Sequence, residues 1–179
     1  MEKLQTLYLT HKKVADRING LIDKSATGWG SYSDDEYTES STLVITAGNG
    51  AVLTNNAASI FAPNLPLDVE TLWVDDKIKG VGLNDGCLIR IDFQAYTTSN
   101  TGYGEIHLDI GGDQGVILEV PVDFPRGTGL PNVRSFSETV FYYTSSTFLA
   151  NGGTLIYNSI RGTTSIYDIT FVISIVNPA

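Results

Sequence analysis

From Thr27 onward, apolar residues recur at every second position in short runs, and glycine-rich turns separate the runs. A period of two is the signature of a strand with one face on a core and the other in water. The clearest run covers residues 88–96. Ile89, Ile91, Phe93 and Ala95 fall on one side, and Arg90, Asp92, Gln94 and Tyr96 on the other. Residues 104–110 repeat the pattern, with Ile106, Leu108 and Ile110 inward against Glu105, His107 and Asp109. The last run, residues 165–176, alternates through Tyr167, Ile169, Phe171, Ile173 and Ile175. A strand of that length belongs in the middle of a sheet, where neighbours satisfy both of its edges. Further strands are predicted over 42–46, 51–54, 59–62, 71–74, 116–122, 133–143 and 154–160, with a hairpin connection at 47–50. About nine or ten strands with no helix between them predict an all-β, antiparallel β-sandwich, and a jelly roll is the commonest wrapping of about eight such strands.

The first two dozen residues follow a different period. Leu4, Leu7, His11, Val14, Ile18 and Leu21 fall alternately three and four apart, the spacing of a helix with an apolar seam. We therefore divide the chain into an N-terminal α-helix over residues 1–24, a polar connector over 25–41 and a β-sandwich over 42–179. A lone helix of this length is marginal in water, so the seam needs a surface. Copies of itself, its own β head or a docking partner would each serve, which makes the segment an oligomerisation stem or an anchor.

Composition removes several function classes. The formal net charge is -9 and the pI about 4.5, so the overall field repels phosphate backbones and anionic lipid, and neither nucleic acid nor a membrane is an expected partner. Positive charge gathers at Lys3, His11, Lys12, Lys13 and Arg17, which suits either docking on an acidic surface or a solvated helix flank. Cys87 stands alone, so no intramolecular disulfide forms, and its place in an apolar run reads as a small buried hydrophobe. The amphipathic first segment does not read as a signal peptide, and no apolar run approaches a bilayer span.

Catalytic and metal signatures are weak. His11 and His107 have no sequence neighbours at ligand spacing, and Asp34, Asp35 and Glu36, or Asp109 with Asp113, read more readily as turn formers than as calcium ligands. The glycines at 80–82 and 111–115 lack the helix start and the Gly-Lys-Ser/Thr that a phosphate loop requires. No serine elbow is present. No catalytic residue, cofactor or metal is therefore expected, and the chain is not read as an enzyme. The remaining surface chemistry is aromatic: Trp29, Tyr32, Tyr37, Tyr96, Tyr103, Tyr142 and Tyr143 could pack between subunits or stack on sugars.

The stretch Gly28-Trp29-Gly30-Ser31-Tyr32-Ser33-Asp34-Asp35-Glu36-Tyr37-Thr38 comes before the strand at 42–46. Leu53-Thr54-Asn55, Leu72-Trp73 and the run from Gly86 into Leu88-Ile89-Arg90-Ile91-Asp92-Phe93 follow it. Together these resemble small β-sandwich virion proteins of tailed bacteriophages, built as jelly rolls of the tumour-necrosis-factor or C1q type. The resemblance implies a homotrimer in the virion that serves as a capsid decoration protein, a head fibre or part of a tail fibre. Its partners would be copies of itself and the major capsid or other virion proteins, with host-surface glycans as an alternative ligand. It also implies that residues 4–21 trimerise or anchor, and that the loops at 111–115, 125–131 and 150–153 share one exposed end.

Overall fold

The computed structural model describes residues 12–14, 27–66, 68–124 and 126–176. Residues 12–14 are helical, and Val14 is exposed; the other seam positions, Leu4, Leu7, His11, Ile18 and Leu21, lie outside the described residues. The strands are β1 (Gly28–Ser33), β2 (Leu43–Ile45), β3 (Asn49–Val52), β4 (Ser59–Asn64), β5 (Trp73–Val74), β6 (Lys77–Ile78), β7 (Gly86–Thr97), β8 (Tyr103–Asp109), β9 (Val116–Asp123), β10 (Arg134–Tyr143), β11 (Thr154–Arg161) and β12 (Thr164–Val176), with one short helix, α1 (Ser146–Asn151), between β10 and β11.

One sheet runs β10-β7-β12-β1-β4, with β2 beside β1 on the same edge of β12; the other runs β3-β11-β8-β9. The antiparallel pairings nest: β1 with β12, β3 with β11, β7 with β10, β8 with β9. That nesting of first with last and inner with inner is the wrapping of a jelly roll, so the expected fold class is the observed one.

Inward residues of both sheets form a single core. It contains Ile89, Ile91, Phe93 and Ala95 from β7, Ile106 and Leu108 from β8, Leu155 and Tyr157 from β11, and Phe171, Ile173 and Ile175 from β12. Phe93 stacks on Phe136 at 4.7 Å and meets Tyr157 edge-on at 6.3 Å. Within the smaller sheet, Tyr157 of β11 reaches over Gly104 of β8, where a Cβ would run into its hydroxyl.

Four sequence expectations need correction. The supposed connector at 25–41 contains β1, which pairs with β12 on one side and β4 on the other. Its glycines weaken strand propensity, but they admit the neighbour, since a Cβ on Gly28 would stand 2.5 Å from the Asn64 carbonyl oxygen. The turn at 47–50 joins no hairpin, because β2 pairs with β12 and β3 with β11; the chain changes sheets there. Tyr167 does not extend the inward row of β12. An extra residue between Tyr167 and Thr170 shifts the register, with Asp168 at φ 54°, so Ile166 takes the inward phase and Tyr167 lies opposite outward-facing Gln94. Finally, the three loops do not share an end. The turn at 111–115 meets the α1 region through Asn151 Nδ2 donating to the Ile110 carbonyl at 3.1 Å, whereas residues 126–133 lie at the opposite end, where the Gly129 amide donates to the Thr97 carbonyl at 2.9 Å.

Asn55 ties the crossover after β3 to the larger sheet. Its buried amide donates to the carbonyls of Tyr32 at 3.0 Å and Ile169 at 3.3 Å, and its own carbonyl accepts the Trp73 indole at 2.9 Å. Trp73 in turn packs on Phe171 at 4.7 Å. Phe171 is fully buried on the central strand, so Phe171→Ala is expected to lower the unfolding free energy by about 3–5 kcal/mol, read from urea denaturation. A loss below about 1 kcal/mol would contradict a close-packed centre for β12.

Candidate functional site

The outer face of the larger sheet is not uniformly wet. Aligned registers place Trp29, Ser174, Leu88 and Phe141 in one row across β1, β12, β7 and β10. The row spans about 14 Å at ordinary strand spacing. Tyr143 and Val176 flank it at the same end, and Phe61 of edge strand β4 packs on Trp29 with ring centroids 5.5 Å apart. Phe141 meets Tyr143 edge-on at 4.8 Å, and both are exposed, as are Leu88, Phe61 and Val176. Toward the other end the face turns polar: Arg90 Nε donates to Asp92 Oδ2 at 2.8 Å, Ser137 donates to Asp92 Oδ1 at 2.6 Å, and Ser135 donates to Gln94 at 3.0 Å. Ser174 divides the row, leaving Trp29 with Phe61 on one side and Leu88, Phe141, Tyr143 and Val176 on the other; exposed apolar groups with a polar border are the character of a contact surface. β1 starts at this end, so the chain enters the head beside the cluster.

The seven aromatics singled out from sequence divide among several environments. Trp29 and Tyr143 belong to this face, at its two sides. Tyr96 is half-buried on the outer side of β7 near its far end, and Tyr103 lies on the outer face of the smaller sheet. Tyr32 and Tyr142 are not surface aromatics: both are buried in the core. The Tyr32 hydroxyl accepts the Leu72 amide at 2.7 Å, and Tyr37 packs against the core with its hydroxyl accepting from Thr54 at 3.2 Å. Alternation explains Tyr142, which is in phase with Val140 and Phe136, whereas Tyr143 is in phase with Phe141. Leu88, Phe141, Phe61 and Val176 escaped sequence reading because their strands are amphipathic only in part, and the register that aligns them is long-range.

Cys87 lies opposite Tyr142 in the core, and burial pushes its thiol up to about 12, so it is no nucleophile at neutral pH. Burial also pushes the Tyr142 hydroxyl up, and that hydroxyl approaches the thiol without a hydrogen-bond partner among the described residues.

Other sequence candidates are structural. Asp34 accepts the amides of Tyr37 at 2.8 Å and Asn56 at 3.0 Å, while Asp109 accepts the Gly111 amide at 2.7 Å; both therefore shape turns. The expectation that His107 lacks companions does not hold. Glu105, two residues away on β8, and Glu119, opposite on β9, converge on it, with His107 Nε2 at 3.1 Å from Glu105 Oε2 and 4.0 Å from Glu119 Oε1. The Tyr103 hydroxyl donates to the other Glu105 oxygen at 2.6 Å and holds that carboxyl below its ordinary range. An open recess of about 450 Å³ beside Tyr103 is lined by Asp123, Arg126 and Arg161. Among the described residues no helix is long and apolar enough to cross a membrane.

No protein-family model and no curated protein matches the chain. Among solved structures it is similar to the Eiger TNF of S. frugiperda, with 10% identity, 86% of this chain and 95% of that chain covered, and a TM-score of 0.49. It is also similar to the PRD1 vertex protein (13%, 84% and 96%, 0.47) and to the C-terminal CBM6 of LamC from Zobellia galactanivorans (16%, 80% and 98%, 0.36). At these scores the likenesses carry no functional argument; the fold assignment rests on strand order and pairing.

Because the Tyr142 hydroxyl is buried and faces only the weakly accepting Cys87 thiol, with no other hydrogen-bond partner among the described residues, Tyr142→Phe is expected to leave stability unchanged or raise it by up to about 1 kcal/mol in urea denaturation. A loss of more than about 1 kcal/mol would show that the hydroxyl has a partner after all.

Proposed function

We propose that the protein is a structural component of a virion, a homotrimer of jelly-roll heads that decorates a capsid or forms a head fibre of a tailed bacteriophage and acts by assembly, not by catalysis. The observation that carries this reading is the apolar row on the outer face of the larger sheet. Leu88, Phe141, Tyr143 and Val176 are exposed in a single chain, and burying them against a second copy removes that surface from water at about 25 cal/mol per Å². A closed ring of identical copies buries the face on every subunit, which an open chain of contacts does not. The number three and the virion setting come from the sequence resemblance, not from the face itself. In this reading residues 1–24 reach the particle, with the major capsid or another virion protein as partner, and several anchors per trimer add avidity.

The alternative, a carbohydrate-binding or receptor-binding module of a tail fibre, has less support. Of the seven aromatics that the sequence offered for a sugar platform, only Trp29 and Tyr143 lie at the apolar end of one outer face, at its two sides, and the others lie elsewhere on the sheets or in the core.

Sedimentation of the full chain at micromolar concentration is expected to give three times the chain mass. The double variant Leu88→Glu and Phe141→Glu, which alters only exposed side chains, is expected to give a folded monomer with an unchanged far-ultraviolet circular dichroism spectrum. A monomeric parent chain, or a double variant that stays trimeric, would overturn the assembly reading.

A further inference from the structure

We propose that Glu105, His107 and Glu119, on the outer face of the smaller sheet, form a binding site for one borderline divalent metal ion of the zinc class. Strand geometry assembles the donors. Residues two apart on a strand share a face, which brings Glu105 to His107, and antiparallel register sets Glu119 directly opposite His107 on β9. One atom from each residue, a carboxylate oxygen or an imidazole nitrogen, lies within 4.8 Å of the other two. Donors bound at about 2.1 Å around a tetrahedral zinc ion stand about 3.4 Å apart. The separations of 3.1 Å and 4.0 Å bracket that value. Closing the remainder falls to Glu119, whose side chain is 65% exposed and free to turn.

The donor set selects the ion. Two carboxylates and one neutral imidazole balance a charge of +2, and a nitrogen donor among oxygens suits zinc, cobalt or nickel. Calcium, which takes six to eight oxygen ligands, finds too few here. An outer contact is already in place: the Tyr103 hydroxyl holds the distal oxygen of Glu105 at 2.6 Å, which fixes that carboxylate and leaves its other oxygen turned to His107. On binding, the ion takes the place of the His107 Nε2 proton, with the neutral imidazole in its Nδ1–H form and the displaced proton passing to Nδ1 through water; two coordinate bonds then replace the Glu105–His107 hydrogen bond, and the open positions are left to water or to a ligand from another molecule. It also clips β9, the edge strand of its sheet, to β8. The site lies on a different sheet from the assembly face, so it stands or falls independently of the proposed trimer.

Calorimetric titration of the metal-free, full-length chain with Zn²⁺ tests this. One ion per chain is expected, with Ca²⁺ giving no heat at the same concentration. His107→Gln and Glu119→Gln are each expected to weaken Zn²⁺ binding at least tenfold, and Tyr103→Phe by a smaller factor, while all three variants keep the circular dichroism spectrum of the parent. Co²⁺ in place of Zn²⁺ is expected to give visible d–d bands that disappear in His107→Gln. No Zn²⁺ binding, or Zn²⁺ binding that neither His107→Gln nor Glu119→Gln weakens, would overturn the proposal; the latter would assign the ion to other groups.

Discussion

The structure depends on both edges of β12 being occupied. β7 pairs with it from end to end on one side, and β1 and β2 share the other, so the last strand of the chain is the central strand of the larger sheet. Parting those pairs would expose unsatisfied backbone groups on a strand whose inward side chains are the middle of the core. The bulge at Asp168 is where β1 gives way to β2. There the Asp168 amide leaves the ladder and donates to the Tyr37 carbonyl at 3.0 Å, which pins the intervening loop. Because β12 is last in sequence and pairs with the first described strand, the fold closes only through its longest-range contact, the kind that pays its loop-closure entropy before it contributes stability.

Strong local alternation was legible in the sequence. The inward rows of β7 and β8, the central position of β12 and the burial of Cys87 follow from a period of two and from apolar content. Features that depend on pairing were not legible. β1 is poor in strand formers and exists because β12 and β4 flank it. The phase of Tyr167 turns on one extra residue, which alternation cannot reveal. The short helix α1 has a capping serine, Ser145, whose side chain accepts the Phe148 amide at 3.2 Å, but six residues are too few to show a helical period. For the same reason the Glu105–His107–Glu119 cluster was invisible: only its i, i+2 half lies in the linear chain, and Glu119 arrives through register.

The two outer faces therefore have different physical characters. That of the larger sheet carries exposed apolar side chains that no other described residue covers, next to the place where the chain enters the head. That of the smaller sheet carries tyrosine, carboxylates and histidine in hydrogen-bonded sequence. An assembly protein needs the first property, since its work is burial between copies, and the second is compatible with a face left in water or given to a ligand. The core's one thiol, Cys87, is held protonated by burial.

The apolar row has two candidate occupants, another head or the chain's own residues 1–24, and they differ in one measurable respect. Residues 27–176 include every strand of both sheets, so a chain beginning at Ser25 retains the whole double-sheet core. Sedimentation equilibrium of that shortened chain should return a trimer if the heads cover one another's exposed row. A soluble, folded monomer would contradict the account and give that surface to the N-terminal segment.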